Sequence, residues 1–128
     1  MTIRIWNGRV DSMSETPVNT GLNFRQGARV TIVSSGFARC GPSYDSYGPT
    51  GNIMFSAVEV IAPEEWVGAL LVKTGNIYTS VGGGLLNWTP PTDDNVEFVY
   101  NDTPEWYGDN AGGFDVTMQY DDEDLIGR

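Results

Sequence analysis

No stretch of this chain carries a sustained helical period, and that constrains its fold more than any single motif does. Sixteen Gly and seven Pro are scattered through 128 residues, so turns interrupt the chain at short intervals. Between the turns lie short runs of strand character. In "GFDVTMQY" (113–120), Phe114, Val116, Met118 and Tyr120 share one face while Asp115, Thr117 and Gln119 share the other. That period of two belongs to a half-buried strand. "RVTIVSSG" (29–36), "GALLVK" (68–73) and "VEFVY" (96–100) are compact apolar runs bounded by Gly or polar residues, as in buried sandwich strands. "NIMFSAVEVI" (52–61) is a further β-rich stretch, "RIWNGRV" (4–10) predicts an edge strand, and "PEEW" (63–66) predicts one helical turn. "CGPSYDSYGPTGN" (40–52) and "VGGGLLNWTPPTDDN" (81–95) read as turn-rich connections. With no repeat and no linker, the expectation is all-β: one small β-sandwich or jelly roll over residues 1–120. The acidic tail "DDEDLIGR" (121–128) is expected to be frayed and solvated.

Charge narrows the function classes. Seven basic residues against seventeen acidic ones give a net charge of −10 and a pI near 4.1. Eleven of the acids fall between Asp93 and Asp124, and after Lys73 the only base is Arg128. Such a surface repels phosphate backbones and anionic lipid, which argues against nucleic acid and bare membrane as partners. The chain has no histidine, so the commonest general base and the commonest zinc ligand are both missing. Histidine-based serine and cysteine triads fail with them. Cys40 stands alone, which excludes an internal disulfide and any cysteine-cluster metal site. The amino-terminal "MTIRIWNGRVD" lacks the apolar core of a secretory signal, and no apolar run is long enough to span a bilayer. The expectation is a chain made in the cytoplasm, with leaderless release or surface association left open.

The loop "NDTPEWYGDN" (101–110) is the best candidate site. It sets Asn101, Asp102, Glu105, Asp109 and Asn110 around Trp106 and Tyr107. Hard cations such as Ca²⁺ take six to eight oxygens from carboxylates, amides and main-chain carbonyls. Asp102, Asp109 and Asn110 offer three side-chain donors from one loop, and Gly108 is expected to let the chain fold back on them. The spacing is not that of an EF-hand. On residue chemistry alone, a solvated hairpin explains the loop better than a cation site does. A carboxylate pair for glycoside hydrolysis is conceivable from Asp102, Glu105 or Asp109, but the three crowd one loop. Trp6, Trp66 and Trp88 read as core; Trp106, flanked by acids, reads as part-exposed and suited to packing on a sugar ring.

These segments resemble a known family. "TIVSSGFARCGP" (31–42), "GALLVKTGN" (68–76) and "YNDTPEWYGDNAGGFDVTM" (100–118) are similar to the matching segments of the PA-IL-like galactophilic bacterial lectins, over about Trp6 to Tyr120. The resemblance implies a jelly-roll sandwich and a calcium-dependent, non-catalytic sugar-binding protein. It implies that Ca²⁺ is held by the side chains of Asp102, Asp109 and Asn110 and by the main-chain carbonyls of Cys40 and Trp106, with two vicinal sugar hydroxyls completing the shell. It further implies a sugar site of Cys40, Phe55, Val58, Asp102, Thr103, Trp106 and Asp109, cell-surface glycans as partners, and a homo-oligomer. Asn101 and Glu105 become bystanders.

The chain departs from the family in two places. A His-Pro-x-Gln stretch that grips the sugar hydroxymethyl falls here on Phe55, Ser56, Ala57 and Val58. Losing those donors leaves two outcomes: galactose bound more weakly with its hydroxymethyl toward water, or a preference for a sugar that is apolar at that position, such as fucose. A family cysteine pair falls on Ala62 and Val67, so that loop is expected to lack its staple. The competing class is an interaction module in which a metal only staples the loop and sugar binding is lost.

Overall fold

The computed structural model describes residues 1–91 and 95–127. Residues 92–94 of the turn-rich segment, including Asp93 and Asp94 of the acidic run, lie outside the described residues. The strands are β1 (Ile3–Asp11), β2 (Val18–Asn23), β3 (Val30–Arg39), β4 (Leu70–Thr74), β5 (Ile77–Ser80), β6 (Gly84–Trp88), β7 (Asn95–Tyr100) and β8 (Ala111–Asp121). They form two four-stranded sheets of order β1-β8-β3-β6 and β2-β7-β4-β5, with every pairing antiparallel. This order is that of a jelly roll.

The alternation in residues 113–120 works as expected. β8 pairs with β1 along one side and β3 along the other, and Phe114, Val116 and Met118 are buried while Asp115 faces solvent. Those three meet Val96, Phe98 and Tyr100 of β7 and Leu70 and Val72 of β4 between the sheets. Trp6 of edge strand β1 stacks on Phe98 at 5.5 Å and 17°, and Tyr100 tilts against Phe114 at 6.1 Å. Burying side chains of this size contributes about 1.5–3 kcal/mol each.

Leu71 and Val99 point the opposite way, to the outside of the β2-β7-β4-β5 sheet, and are nevertheless fully buried. Ile61, Ala62, Ala69 and Tyr78 cover them. That second layer explains why "GALLVK" and "VEFVY" read as continuous apolar runs. It also corrects the expectation for "NIMFSAVEVI": residues 52–61 form no strand but a string of turns lying over the sheet. Met54 sits at φ +73°, outside the extended region. "PEEW" closes a turn through Glu65 N–H to Ala62 O (3.0 Å) and forms no helix. β2, β5 and β6 were not expected; β6 lies inside the segment read as turns.

The tail is likewise not frayed. Asp122 N–H donates to Thr2 O (2.8 Å), Ile126 N–H to Asn23 O (2.8 Å) and Arg25 N–H to Asp124 O (2.9 Å). Leu125 packs against the core. Arg25 also holds the Asp124 carboxylate at 3.1 Å.

Candidate functional site

The end of β3 and the loop from β7 to β8 meet at one end of the sandwich. β7 ends on Tyr100, and the chain then makes a tight turn, a short 3-10 segment (Tyr107–Asp109), and enters β8 at Ala111. Two buried groups give the loop its shape. The Tyr107 hydroxyl donates to Tyr100 O (2.7 Å) and accepts from Asp102 N–H (3.3 Å). Burial pushes the Tyr107 phenol well above its ordinary value, so it stays a neutral donor. The turn itself is held from outside: Glu105 adopts φ +76°, and its N–H donates to the Glu15 carboxylate at 2.6 Å. The left-handed residue is therefore Glu105. Gly108, expected to supply that freedom, has no positive φ and open space around its Cα.

Asp102 is buried. Its Oδ1 accepts from Thr103 N–H (2.7 Å) and its Oδ2 from Asn110 Nδ2 (2.7 Å). Burial raises the Asp102 carboxyl above the usual range, and the Asp109 charge adds to this; the two hydrogen bonds act against it. Asn110 is buried too. Its Nδ2 also reaches Ser12 O (2.8 Å), while its Oδ1 has no hydrogen-bond partner among the described residues. A buried amide oxygen left unpaired costs about 1–3 kcal/mol. Gly41 brings the other wall close: at φ +143°, a Cβ there would stand 3.4 Å from Asp109 Oδ2. Burial, then the Asp102 charge, lift the neighbouring Cys40 thiol above its usual value, which keeps it protonated and unreactive.

Among the described residues, no salt bridge involves Asp102 or Asp109. Between Arg39 and Arg128 the only base is Lys73, and it faces Glu97. Two carboxylates and one orphaned amide oxygen, unneutralised by any cation among the described residues, form a donor set suited to a hard divalent ion. No group of three or more His, Cys, Asp or Glu able to hold a metal gathers among the described residues. A cation held here would draw its further ligands from neutral oxygens, such as backbone carbonyls.

Beside these oxygens opens a cleft of about 240 Å³ lined by Cys40, Tyr44, Phe55, Ala57, Val60, Val67, Asp102, Thr103, Trp106 and Asp109. The structure thus brings together Cys40, Phe55, Asp102, Thr103, Trp106 and Asp109 from the sequence reading. It leaves out Val58, which is 82% exposed and does not line the cleft. Odd-numbered Phe55 and Ala57 turn inward, and Val58 turns out. The sequence reading missed Tyr44, which stacks on Phe55 at 5.6 Å and 16°, and the apolar floor of Val60 and Val67. Tyr44 sits in a Gly/Pro/Ser loop that carries no periodicity to signal it.

Asn101 is no bystander. Fully buried, it accepts from Ala62 N–H (3.0 Å) and donates to Ala62 O (3.1 Å) and Trp66 O (2.9 Å). The segment expected to lack a staple is pinned to the end of β7 by one amide.

Comparison with known proteins agrees with this architecture. A profile of the PA-IL-like protein family matches residues 5–123. Lectin A of Photorhabdus laumondii subsp. laumondii is 29% identical over 117 residues, covering 88% of this chain and 89% of that protein. Among solved structures, the EclA N-terminal domain, a PllA-like lectin, superposes with a TM-score of 0.76 at 28% identity, over 91% of this chain and 96% of that one. The protein is a carbohydrate-binding β-sandwich of the lectin class and not an enzyme. Within that class the chain belongs to the PA-IL-like family.

Proposed function

We propose that the protein is a Ca²⁺-dependent lectin whose sugar docks in the cleft of Tyr44, Phe55 and Trp106. The observation that carries the reading is the buried, unpartnered Oδ1 of Asn110 beside the Asp102 carboxylate. An amide oxygen held in place and left without a donor fits a cation ligand. Asp102, Asp109 and Asn110 would hold Ca²⁺ through side chains, and Cys40 and Trp106 through main-chain carbonyls. When bound, Ca²⁺ supplies a positive centre able to take two vicinal sugar hydroxyls. The remaining recognition falls to the chain's own groups. Asp102 and Asp109 carboxylates accept from sugar hydroxyls, Thr103 lines their approach, and aromatic faces pack on the C–H surface of the ring.

The wall opposite the oxygens sets the sugar. Phe55, Ala57, Val60 and Val67 offer no side-chain donor or acceptor. A hydroxymethyl buried there would lose its water and gain no hydrogen bond, at about 1–3 kcal/mol per unpaired group. A 6-deoxy sugar such as fucose avoids that cost. Cell-surface glycans are the partners, and assembly into a homo-oligomer would raise weak single-site affinity by multivalency. A glycan array read with and without chelator tests the proposal. Calcium-dependent binding is expected. Silence in both conditions would overturn it and leave a module whose metal only staples the loop.

A further inference from the structure

Trp106 is 68% exposed, and no ring contact involves it among the described residues. An indole left in water at the rim of a ligand cleft is an apolar surface without a protein partner. Its position is nevertheless fixed. Trp106 N–H donates to Thr103 O (3.0 Å), and the preceding Glu105 is locked at φ +76° by Glu15. A strained residue held by a carboxylate 90 positions away in sequence gives a pre-set platform, not a loose loop tip. Behind it lies a second recess, about 240 Å³, lined by Glu59, Thr103 and Trp106. It adjoins the main cleft and shares Thr103 and Trp106 with it, so Trp106 stands where the two meet. Glu59 is exposed, and its carboxylate has no hydrogen-bond or ion-pair partner among the described residues.

Building on the lectin reading above, we infer that this recess is a second sugar subsite. It takes the pyranose next in the chain after the unit held in the main cleft. Trp106 packs on the ring face of that second unit, and Glu59 accepts hydrogen bonds from its hydroxyls. A free acceptor-only carboxylate calls for a neutral, donor-rich sugar and rejects an acidic one. The protein therefore selects disaccharide termini, not isolated monosaccharides.

Calorimetry with Ca²⁺ present tests this on the intact protein. Methyl α-fucoside is compared with fucosyl-α-(1→2)-galactose, and methyl α-galactoside with galactosyl-α-(1→4)-galactose. In at least one series the disaccharide is expected to bind about three- to tenfold tighter, the range of one aromatic contact. Trp106→Ala keeps its backbone carbonyl and should abolish that ratio. Glu59→Gln should leave methyl-glycoside affinity unchanged and relieve rejection of a disaccharide whose second unit is galacturonic acid. Equal affinity for disaccharide and methyl glycoside in both series overturns the subsite alone. So does an equal loss of both ligands in Trp106→Ala. No binding of any probe with Ca²⁺ overturns the lectin reading and the subsite with it.

Discussion

The amide of Asn101 and the backbone of Ala62 exchange two hydrogen bonds, Ala62 N–H to Oδ1 at 3.0 Å and Nδ2 to Ala62 O at 3.1 Å. The pairing copies an antiparallel strand contact with a side chain standing in for one strand. It anchors the segment that brings Val60 and Val67 into the cleft floor. Asn101→Ala strands the buried Ala62 N–H and takes one of two donors from each of Ala62 O and Trp66 O. It is expected to cost about 2–4 kcal/mol. Urea unfolding measures the loss, and hydrogen exchange should show the Ala62 amide opening before the strands do.

The orphaned Oδ1 of Asn110 predicts a stability that depends on the cation. A ligand present at a hundred times its dissociation constant adds about 2.7 kcal/mol to the folded state. Thermal melts of the wild type should therefore rise with Ca²⁺ and fall back with chelator. In Asn110→Ala that increment should vanish. The variant's chelated form should also melt lower than chelated wild type, because Asp102 Oδ2 and Ser12 O lose their donor.

Phe55→His returns a polar donor to the apolar wall. It is expected to shift preference from fucose toward galactose by about 1–3 kcal/mol, read as the ratio of calorimetric affinities. A wild-type preference for galactose would remove the apolar-wall account of specificity. The same change at Val58, which points away from the cleft, should leave the ratio alone.

Glu65 gives a pH test. Burial, and then the Glu64 charge, raise its carboxyl above the ordinary 4.5. The native state thus binds this proton more tightly than the unfolded chain does. Its stabilising contribution is complete below about 4.5 and is lost as pH rises through the raised value. Glu65→Gln should melt slightly higher than wild type near neutral pH, with the difference closing in acid. Because Glu65 is half-exposed, the effect should be small and should shrink with salt.

What could be read in advance follows the physics of each segment. β8 was legible because one face is core and the other solvent, so burial wrote itself as alternation. Residues 52–61 were not, because their apolar groups cover the back of a sheet from irregular backbone, and covering needs no period. β6 hid behind Gly-rich composition, since its pairing with β3 satisfies the backbone whatever the side chains are. In the site, Asp102, Asp109 and Asn110 were legible as oxygen donors by residue type. Asn101 was not, because a buried amide bonding to backbone 35 to 39 positions away has the same one-letter signature as a solvated loop residue. Glu15 was invisible for the same reason, being 90 positions from the turn that it braces.

The contact between Thr2 O and Asp122 N–H joins the two chain ends at the foot of the sandwich. From there β8 runs eleven residues back to the cleft, about 35 Å at strand spacing. Whatever tethers the protein through either end, whether a fused module, a bead or a cell wall, holds it by the foot. The cleft then lies at the end away from the tether, like a hook on a post.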